Sequence, residues 1–472
     1  MHNEKTIRFG TDGWRGVIAE DFTFVNVKRV AQAVADYYRH TGSFTDKGKK
    51  IVVGFDTRFM SDKFALAVAE VLVNNGIDAV ISDRPVPTPA LSLYTRNKNF
   101  AAGIMITASH NPSEYNGLKI KTSLGGAASL SVTKEVEKRI KPRPGGIRSR
   151  RPGSLIRKDL IRDYIKFLRS YIDLKRLKRA NFRVLVDAMH GSGDSFIAQV
   201  LEGTGIKVDF IRNEINPTFG GLRPEPVLDN LGPSIEKMKT GRYDLGLVLD
   251  GDADRIAAFA SGGVFIHPQK ILGLLILHLF QDKGLKGGVV KTIAGTTLID
   301  NIAAKLNLRL FETPVGFKYI SDLMVNEDIL VGGEEAGGMG FKHYIPERDG
   351  SLAGLLLLEM MAYRKKPMLK ILNEMEKKFG RYYYLRRDHR LKQAVPQEEI
   401  SGFSKIGKIL GKEVIRVKDF DGIKLIRSDT SWLMLRASGT EPLVRVYAES
   451  KSLSHSAELI EFGGKLVRRY AL

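Results

Sequence analysis

The sequence predicts three related α/β units followed by a smaller α+β domain. Three observations predict it: the length, a pattern that recurs three times, and a change of pattern near the C-terminus. At 472 residues and 43% hydrophobic, the chain is too long for one ordinary domain and has apolar material for several cores. In the recurring pattern a short β-branched run ends in a polar or Gly-rich turn, helical sequence follows, and a second apolar run ends in a polar loop. The first runs are Ile51 to Arg58 (IVVGFDTR), Arg183 to Gly193 (RVLVDAMHGSG) and Gly287 to Thr297 (GGVVKTIAGTT). The second are Ala101 to Pro112 (AAGIMITASHNP), Asp244 to Arg255 (DLGLVLDGDADR) and Asp328 to Gly338 (DILVGGEEAGG). Buried strands of α/β units read as such runs, and ligands gather beyond their carboxyl ends, so three units facing a common cleft are expected. After the third unit come the strand-like SWLMLRAS and LVRVYAES and a closing helix from Ser454, which read as the α+β domain. The expected divisions are 1–145, 155–258, 259–375 and 385–472, with joints at a basic Pro/Gly stretch near 150, a turn at Ser261 to Gly263, and a polar segment near Phe379 to Arg390.

Composition narrows the function. The chain has no cysteine, which excludes disulfides, thiolate metal sites and cysteine nucleophiles. No apolar leader follows Met1, and the run from Ile271 to Phe280 falls short of the roughly 18 residues of a membrane span, so a soluble, cytoplasmic protein without membrane contact is expected. A formal charge of +21 attracts phosphate-bearing ligands in general. The densest basic stretch, Lys138 to Lys158, holds no aromatic residue on which a base could stack. It reads as a solvated linker, and no specific nucleic-acid partner is expected.

Asp250, Asp252 and Asp254 of DGDADR place three carboxylates at alternate positions just after an apolar strand. Such groups repel unless a hard cation neutralises them, and oxygen ligation suits Mg²⁺. An EF-hand is excluded, because loop positions six and twelve hold Arg255 and Ser261 where Gly and Glu are needed. Aspartates that cap a turn are the plainer alternative. Arg255 beside a metal-bound phosphoryl group could pin its oxygens.

Ser109 of TASHNP stands next to His110 at the mouth of a strand and lacks the Gly-x-Ser-x-Gly elbow of a serine hydrolase. A serine facing a Mg²⁺ site can accept and return a phosphoryl group, with Lys119 and His110 as nearby groups for proton transfer. A structural hydrogen bond for His110 and a solvated Lys119 are the competing readings. Glu334 and Glu335 of GGEEAGG offer carboxylates to sugar hydroxyls. In RASGTEPLVR, Arg436 to Arg445, a guanidinium, Ser438, Thr440 and the Gly439 turn form a candidate phosphate cradle, with a strand-to-helix turn as its alternative.

Together these motifs resemble the α-D-phosphohexomutases, the family of phosphoglucomutases, phosphomannomutases and phosphoglucosamine mutases. The likeness runs from FGTDGWRG (Phe9 to Gly16) to RVYAES (Arg445 to Ser450), with PVPTPAL (Pro85 to Leu91) and VGFKYI (Val315 to Ile320) between. The resemblance implies three α/β/α domains and a smaller fourth around a central cleft. It implies that Ser109 is a phosphoserine whose phosphate joins Asp250, Asp252 and Asp254 around Mg²⁺, with Arg15 and Lys119 flanking the transferring group and Lys119 as general acid/base. Lys291 is expected to reach into the cleft and Glu334 to bind sugar hydroxyls, while Arg436, Ser438, Gly439, Thr440 and Arg445 hold the non-reacting phosphate. One departure stands out: Ala336 occupies a position where the family commonly carries Ser.

The expected activity is interconversion of hexose 1-phosphate and hexose 6-phosphate, of glucose or mannose, through a bound hexose 1,6-bisphosphate that also acts as activator. The expected partner is the phosphosugar, for a monomer or homodimer. A phosphoglucosamine mutase is the alternative, less expected because GEEAGG looks less like that subgroup; a non-catalytic phosphosugar-binding protein is another.

Overall fold

The computed structural model describes residues 7–10, 12–41, 49–142, 149–193, 196–393, 395–438 and 442–468. The six apolar runs become six strands. The three first runs form Lys50–Phe55, Arg183–Asp187 and Gly288–Thr292, and the three second runs form Ala102–Ile106, Leu245–Leu249 and Ile329–Gly333. Within each unit the two strands lie side by side and parallel. A third parallel strand (Asp78–Ser82, Lys207–Ile211 or Leu310–Thr313) flanks the first-run strand. An antiparallel strand (Tyr115–Thr122, Ile256–Ala260 or Met339–Phe341) returns along the second-run strand. The same four-strand order therefore occurs three times, which is the internal repeat in structural form.

In this order the chain leaves the first-run strand toward one side and comes back on the other. The gap between the carboxyl ends of first- and second-run strands is thus a topological switch point, where an open α/β sheet leaves room for a ligand. Ala102–Ile106, Leu245–Leu249 and Ile329–Gly333 are buried along their whole length, as strands covered by helices on both faces must be.

One unit edge differs from the expected divisions. Leu155–Lys158, placed by the sequence in a solvated linker and at the start of the second unit, pairs in parallel with Asp78–Ser82 and completes a six-stranded first sheet. The turn Ser261–Gly263 joins Ile256–Ala260 to Val264–Ile266 as a hairpin at the edge of the second sheet. The last sheet begins at Tyr383, after the helix Met368–Phe379. That sheet is antiparallel throughout and has six strands, the outermost Tyr383–Arg390 and Lys408–Ile409. The helix Leu453–Val467 covers one of its faces.

One apolar core runs through the first three units, joining Val52 and Met105 to Val184 and Leu247 and to Val289 and Leu355. The helix Gly350–Arg364 lies at its centre, with Asp349 as N-cap accepting from the Leu352 amide at 2.8 Å. The fourth unit keeps a separate core around Leu425, Leu433 and Val446. It meets the third through a small apolar patch of Ile293, Ala294, Trp432, Met434 and Tyr447. Among the described residues no helix is long and apolar enough to cross a membrane.

Candidate active site

Strand Ala102–Ile106 delivers the loop Thr107 to Pro112 to the first switch point. Ser109 sits there in left-handed backbone, φ 52°, a conformation that costs a non-glycine residue energy and must be held by its surroundings. The holding groups come from Asp56, Thr57 and Arg58, which follow the adjacent strand Lys50–Phe55. The Ser109 amide donates to Thr107 Oγ1 at 2.8 Å, and Thr107 Oγ1 donates to Asp56 Oδ2 at 2.6 Å. The Arg58 guanidinium, 3% exposed, donates to the carbonyls of Ser109 (2.5 Å), Asn111 (2.6 Å), Pro112 (2.7 Å) and Tyr115 (3.0 Å). Its Nε lies 3.2 Å from Asp56 Oδ2. A planar fork with five donors is the one side chain able to gather so many carbonyls. Thr57 ties this platform to the second unit by donating to the His190 carbonyl at 2.8 Å.

Strand Leu245–Leu249 brings the acidic loop to the same place. Asp250, Asp252 and Asp254 are fully buried, with ligand oxygens within 4.8 Å of one another. Ser109 Oγ donates to Asp250 Oδ2 at 2.8 Å. The approach leaves no room for a side chain between the loops: a Cβ on Gly251 would lie 2.6 Å from the Ser109 carbonyl oxygen. Thr88 hydrogen-bonds Asp252 twice, its hydroxyl to the carboxylate and its amide to the carbonyl. Burial and the neighbouring Asp254 and Asp252 push the Asp250 carboxyl well above the usual range. Burial also acts to raise Asp252, but Lys119 and Thr88 outweigh it and hold Asp252 low. Asp252 Oδ1 and Asp254 Oδ1 are buried without a hydrogen-bond partner. Unsatisfied buried carboxylate oxygens on a three-carboxylate cradle are what a hard divalent cation satisfies, so the residues present fit one.

Lys119 closes the cradle from the first unit. Its Nζ lies 2.8 Å from Asp252, 3.0 Å from Asp254 and 2.9 Å from Asp12, and these carboxylates outweigh burial and raise its pKa. Arg348 of the third unit pairs with Asp12, with Asp254 at 2.7 Å and with Glu334 at 3.2 Å. One guanidinium therefore fastens carboxylates of all three α/β units. Behind it, Lys121 pairs with Glu347. His110 Nδ1 stands 3.4 Å from Ser109 Oγ, and its pKa is driven well down by burial and then by Arg255, Arg15, Arg386 and Arg445. Burial and these guanidinium groups together disfavour the charged imidazole. Arg15 Nη1 donates to Asn111 Oδ1 at 2.6 Å; the Arg255 amide donates to Asp250 Oδ1 at 3.1 Å, and Arg255 Nε lies 3.8 Å from Asp254.

Of the remaining expected residues, Glu334 joins this network through Arg348, and the other described ones have partners of their own. Glu334 is held by Arg348, and Glu335 accepts from Thr292 Oγ1 at 2.7 Å. The Lys291 ammonium is engaged within its own unit by the Thr296 carbonyl, Asp300 and Glu312. Arg436 and Arg445 stand opposite each other on neighbouring strands of the fourth unit. Arg436 Nε donates to Asp421 at 2.8 Å, Arg445 Nε lies 3.6 Å from Asp388, and the Ser438 amide donates to the Leu443 carbonyl. Gly439 and Thr440 lie outside the described residues.

Asp12, Arg58, Thr88, Arg348 and Arg386 are parts of this region that sequence reasoning did not single out. Three had a visible signal: Asp12 belongs to FGTDGWRG, Arg58 ends IVVGFDTR, and Thr88 lies in PVPTPAL. Arg348, in a charged run before an apolar helix, had none.

Comparison with known proteins gives the same arrangement a lineage. Models of the phosphoglucomutase/phosphomannomutase family match in chain order: α/β/α domain I at residues 6–144, domain II at 162–263, domain III at 267–379 and the C-terminal domain at 374–462. A phosphoglucomutase/phosphomannomutase of Thermococcus kodakarensis is 30% identical over 97% of this chain and 98% of its own length. A phosphoglucosamine/phosphogalactosamine mutase of Sulfurisphaera tokodaii is also 30% identical, over 97% and 98%. The crystal structure of a protein from Thermus thermophilus, described as a phosphomannomutase, superposes with a TM-score of 0.87 at 35% identity, covering 98% of this chain and 99% of that one. The chain belongs to the phosphoglucomutase/phosphomannomutase family, the α-D-phosphohexomutases, and is a mutase, an intramolecular phosphotransferase.

Proposed function

We propose that the protein interconverts hexose 1-phosphate and hexose 6-phosphate, of glucose or mannose, by way of a phosphoryl group carried on Ser109 and a bound hexose 1,6-bisphosphate. The observation that carries this reading is the hydroxyl of Ser109, 2.8 Å from Asp250 and set in strained backbone against three buried carboxylates. Asp250, Asp252 and Asp254, with an oxygen on Ser109, would hold a Mg²⁺ ion that screens the charge of the transferring group.

The steps rest on this chain's own groups. In the first half-reaction the phosphoserine P–Oγ bond breaks as a bond forms to the free sugar hydroxyl, which loses its proton while Ser109 Oγ gains one. The second half-reaction is the reverse at the other end of the sugar: Ser109 gives up its proton and takes the phosphoryl back. His110 Nδ1 and the Lys119 ammonium are the pocket groups suited to these two transfers. Arg15 and Arg255 would pin phosphoryl oxygens, and Glu334 and Glu335 would accept from sugar hydroxyls. Arg436, Ser438, Gly439, Thr440 and Arg445 take the phosphate that is not reacting, and Lys291 would serve the substrate from the third unit on leaving its present partners Asp300 and Glu312. The bisphosphate must turn within the cleft between half-reactions, and one that escapes leaves an inactive dephosphoenzyme, so added hexose 1,6-bisphosphate activates.

Ser109→Ala is expected to abolish turnover of glucose 1-phosphate in the presence of Mg²⁺ and bisphosphate while phosphosugar binding, measured by calorimetry, persists. Substantial residual turnover contradicts the assignment of the nucleophile. A phosphoglucosamine substrate is the second reading, favoured by the 30% identity to the Sulfurisphaera enzyme. Parallel kcat/KM values for glucose, mannose and glucosamine phosphates separate the two.

A further inference from the structure

Arg436 and Arg445 stand opposite each other on one sheet of the fourth unit, and the way that unit meets the third is specific. Strands Lys412–Lys418 and Ile423–Arg427 form an antiparallel hairpin whose turn projects toward the third unit. Three side chains along it are bound there. Lys418 Nζ lies 2.5 Å from Glu312, Asp421 Oδ2 accepts from the Val315 amide at 2.7 Å, and Lys424 Nζ donates to the carbonyls of Ile293 (2.7 Å) and Gly295 (3.2 Å). Asp421 is aimed by the next residue: Gly422 has φ 84°, and a Cβ there would meet the Leu435 carbonyl oxygen at 2.6 Å.

The other oxygen of Asp421 faces back into its own unit. Oδ1 accepts from Arg436 Nε at 2.8 Å, so one carboxylate joins a backbone amide of the third unit to a guanidinium of the fourth. Val315 immediately precedes Gly316, φ 132°, and the helix Phe317–Asn326, whose first ring lies 5.5 Å from the Arg348 guanidinium. The chain of contacts therefore runs from Arg436 through Asp421 and Val315 to the residue that fastens Asp12, Asp254 and Glu334. An arginine held at Nε keeps its two Nη groups at a fixed angle, and a fixed fork binds a tetrahedral anion with less ordering cost than a free one.

We infer that Asp421 is a positioning residue for phosphate binding: it orients Arg436 by its Nε and registers that arginine against the Val315 loop of the third unit. The inference rests on the reading of Arg436 as a ligand of the non-reacting phosphate. Asp421 touches neither sugar nor phosphoryl group; it acts through Arg436, and its removal is expressed as lost substrate affinity.

The test is a double-mutant cycle with Asp421→Asn, Arg436→Ala and the combined variant, read as KM and kcat for glucose 1-phosphate and as calorimetric binding of glucose 6-phosphate. Asn retains an acceptor for the Val315 amide but turns an amide toward Arg436 or gives it only a neutral partner. Asp421→Asn is expected to raise KM about tenfold, the effect of losing a charge-assisted bond, with kcat within about threefold and an unchanged melting temperature. The double variant is expected to match Arg436→Ala within about twofold, because the carboxylate has nothing to orient once the guanidinium is gone. An unchanged or lowered KM in Asp421→Asn, or additive effects in the double variant, overturns the inference. An unchanged KM in Arg436→Ala overturns instead the phosphate-binding reading on which it rests. If Asp421→Asn melts early, the same cycle run at about 10 °C on its folded fraction, measured by active-site titration, gives the decision.

Discussion

Arg58→Lys is the perturbation that most directly tests why Ser109 sits where it does. Arg58 donates to four carbonyls of the Ser109 loop and lies against Asp56, while its planar face rests 4.9 Å from the Phe219 ring centroid. Lysine keeps the charge next to Asp56, so the buried carboxylate is not left alone, but a single ammonium cannot span carbonyls from Ser109 to Tyr115. At least two charge-assisted bonds are lost, at roughly 1.5–3 kcal/mol each before relaxation. Allowing for a loop that recovers part of the loss, about 3 kcal/mol of restraint on the left-handed Ser109 backbone disappears. Expressed as misplacement of the nucleophile, this is on the order of a hundredfold in kcat. Arg58 is buried behind the loop, so KM for the hexose phosphate should change by no more than about threefold. Steady-state assays with saturating bisphosphate, together with phosphate stoichiometry on Ser109 by intact-protein mass spectrometry, read both quantities. A kcat within about threefold of wild type would refute the reasoning, since it would mean the loop holds its conformation without the fork.

Three other outcomes follow from the same geometry. Asp254→Asn removes one carboxylate of the cradle and a partner of both Lys119 and Arg348; calorimetric titration with Mg²⁺ or Mn²⁺ should show at least about tenfold weaker binding than wild type, and equal affinity would exclude Asp254 as a ligand. Ala336→Ser restores a hydroxyl in the Glu334 to Gly338 loop, and a neutral hydrogen bond of ~0.5–1.5 kcal/mol shifts the ratio of kcat/KM between sugars by up to about tenfold; an identical ratio means the loop does not read the sugar through that position. Lys424 is 2% exposed and lies 3.7 Å from the Trp432 ring centroid, and burial, then Lys291, lowers its pKa to about 7. Between that value and the free-lysine value the unfolded chain binds more protons than the native one, so the native state gains stability as pH rises through this window. The melting-temperature advantage of Lys424→Met over wild type should therefore be largest below about pH 7 and shrink toward about pH 10, whereas a difference independent of pH would show that Lys424 is not buried in charged form.

Much of the architecture was legible because strand formation in an α/β unit is a local event. A run such as AGIMI at 102–106 has apolar residues for both faces of a covered strand and cannot form half-exposed helix, so its place follows from its own composition. The same holds for the acidic loop: three aspartates at alternate positions after an apolar strand mark a place that needs compensating positive charge, and the spacing alone marks it as a candidate cation site. Leu155–Lys158 shows the limit. All four of its residues are exposed, it carries no alternation, and it is a strand only because the edge of Asp78–Ser82 offers unpaired backbone groups. The turn at Ser261–Gly263 is a hairpin for a related reason, since Gly-Gly marks a turn without saying whether the chain then leaves the sheet or returns to it.

By itself the sequence determined the repeated units, the strands at their centres, and the kinds of side chain gathered at their carboxyl ends. Only the tertiary structure decided which of those ends meet. Ser109 and Asp250 are 141 residues apart, Lys119 and Asp254 are 135, and Arg348 and Asp12 are 336. No spacing along the chain encodes such contacts. They arise because the first three units bury one shared core, which brings their loop ends to one point, and because a buried charge then takes whatever opposite charge the packing brings within reach.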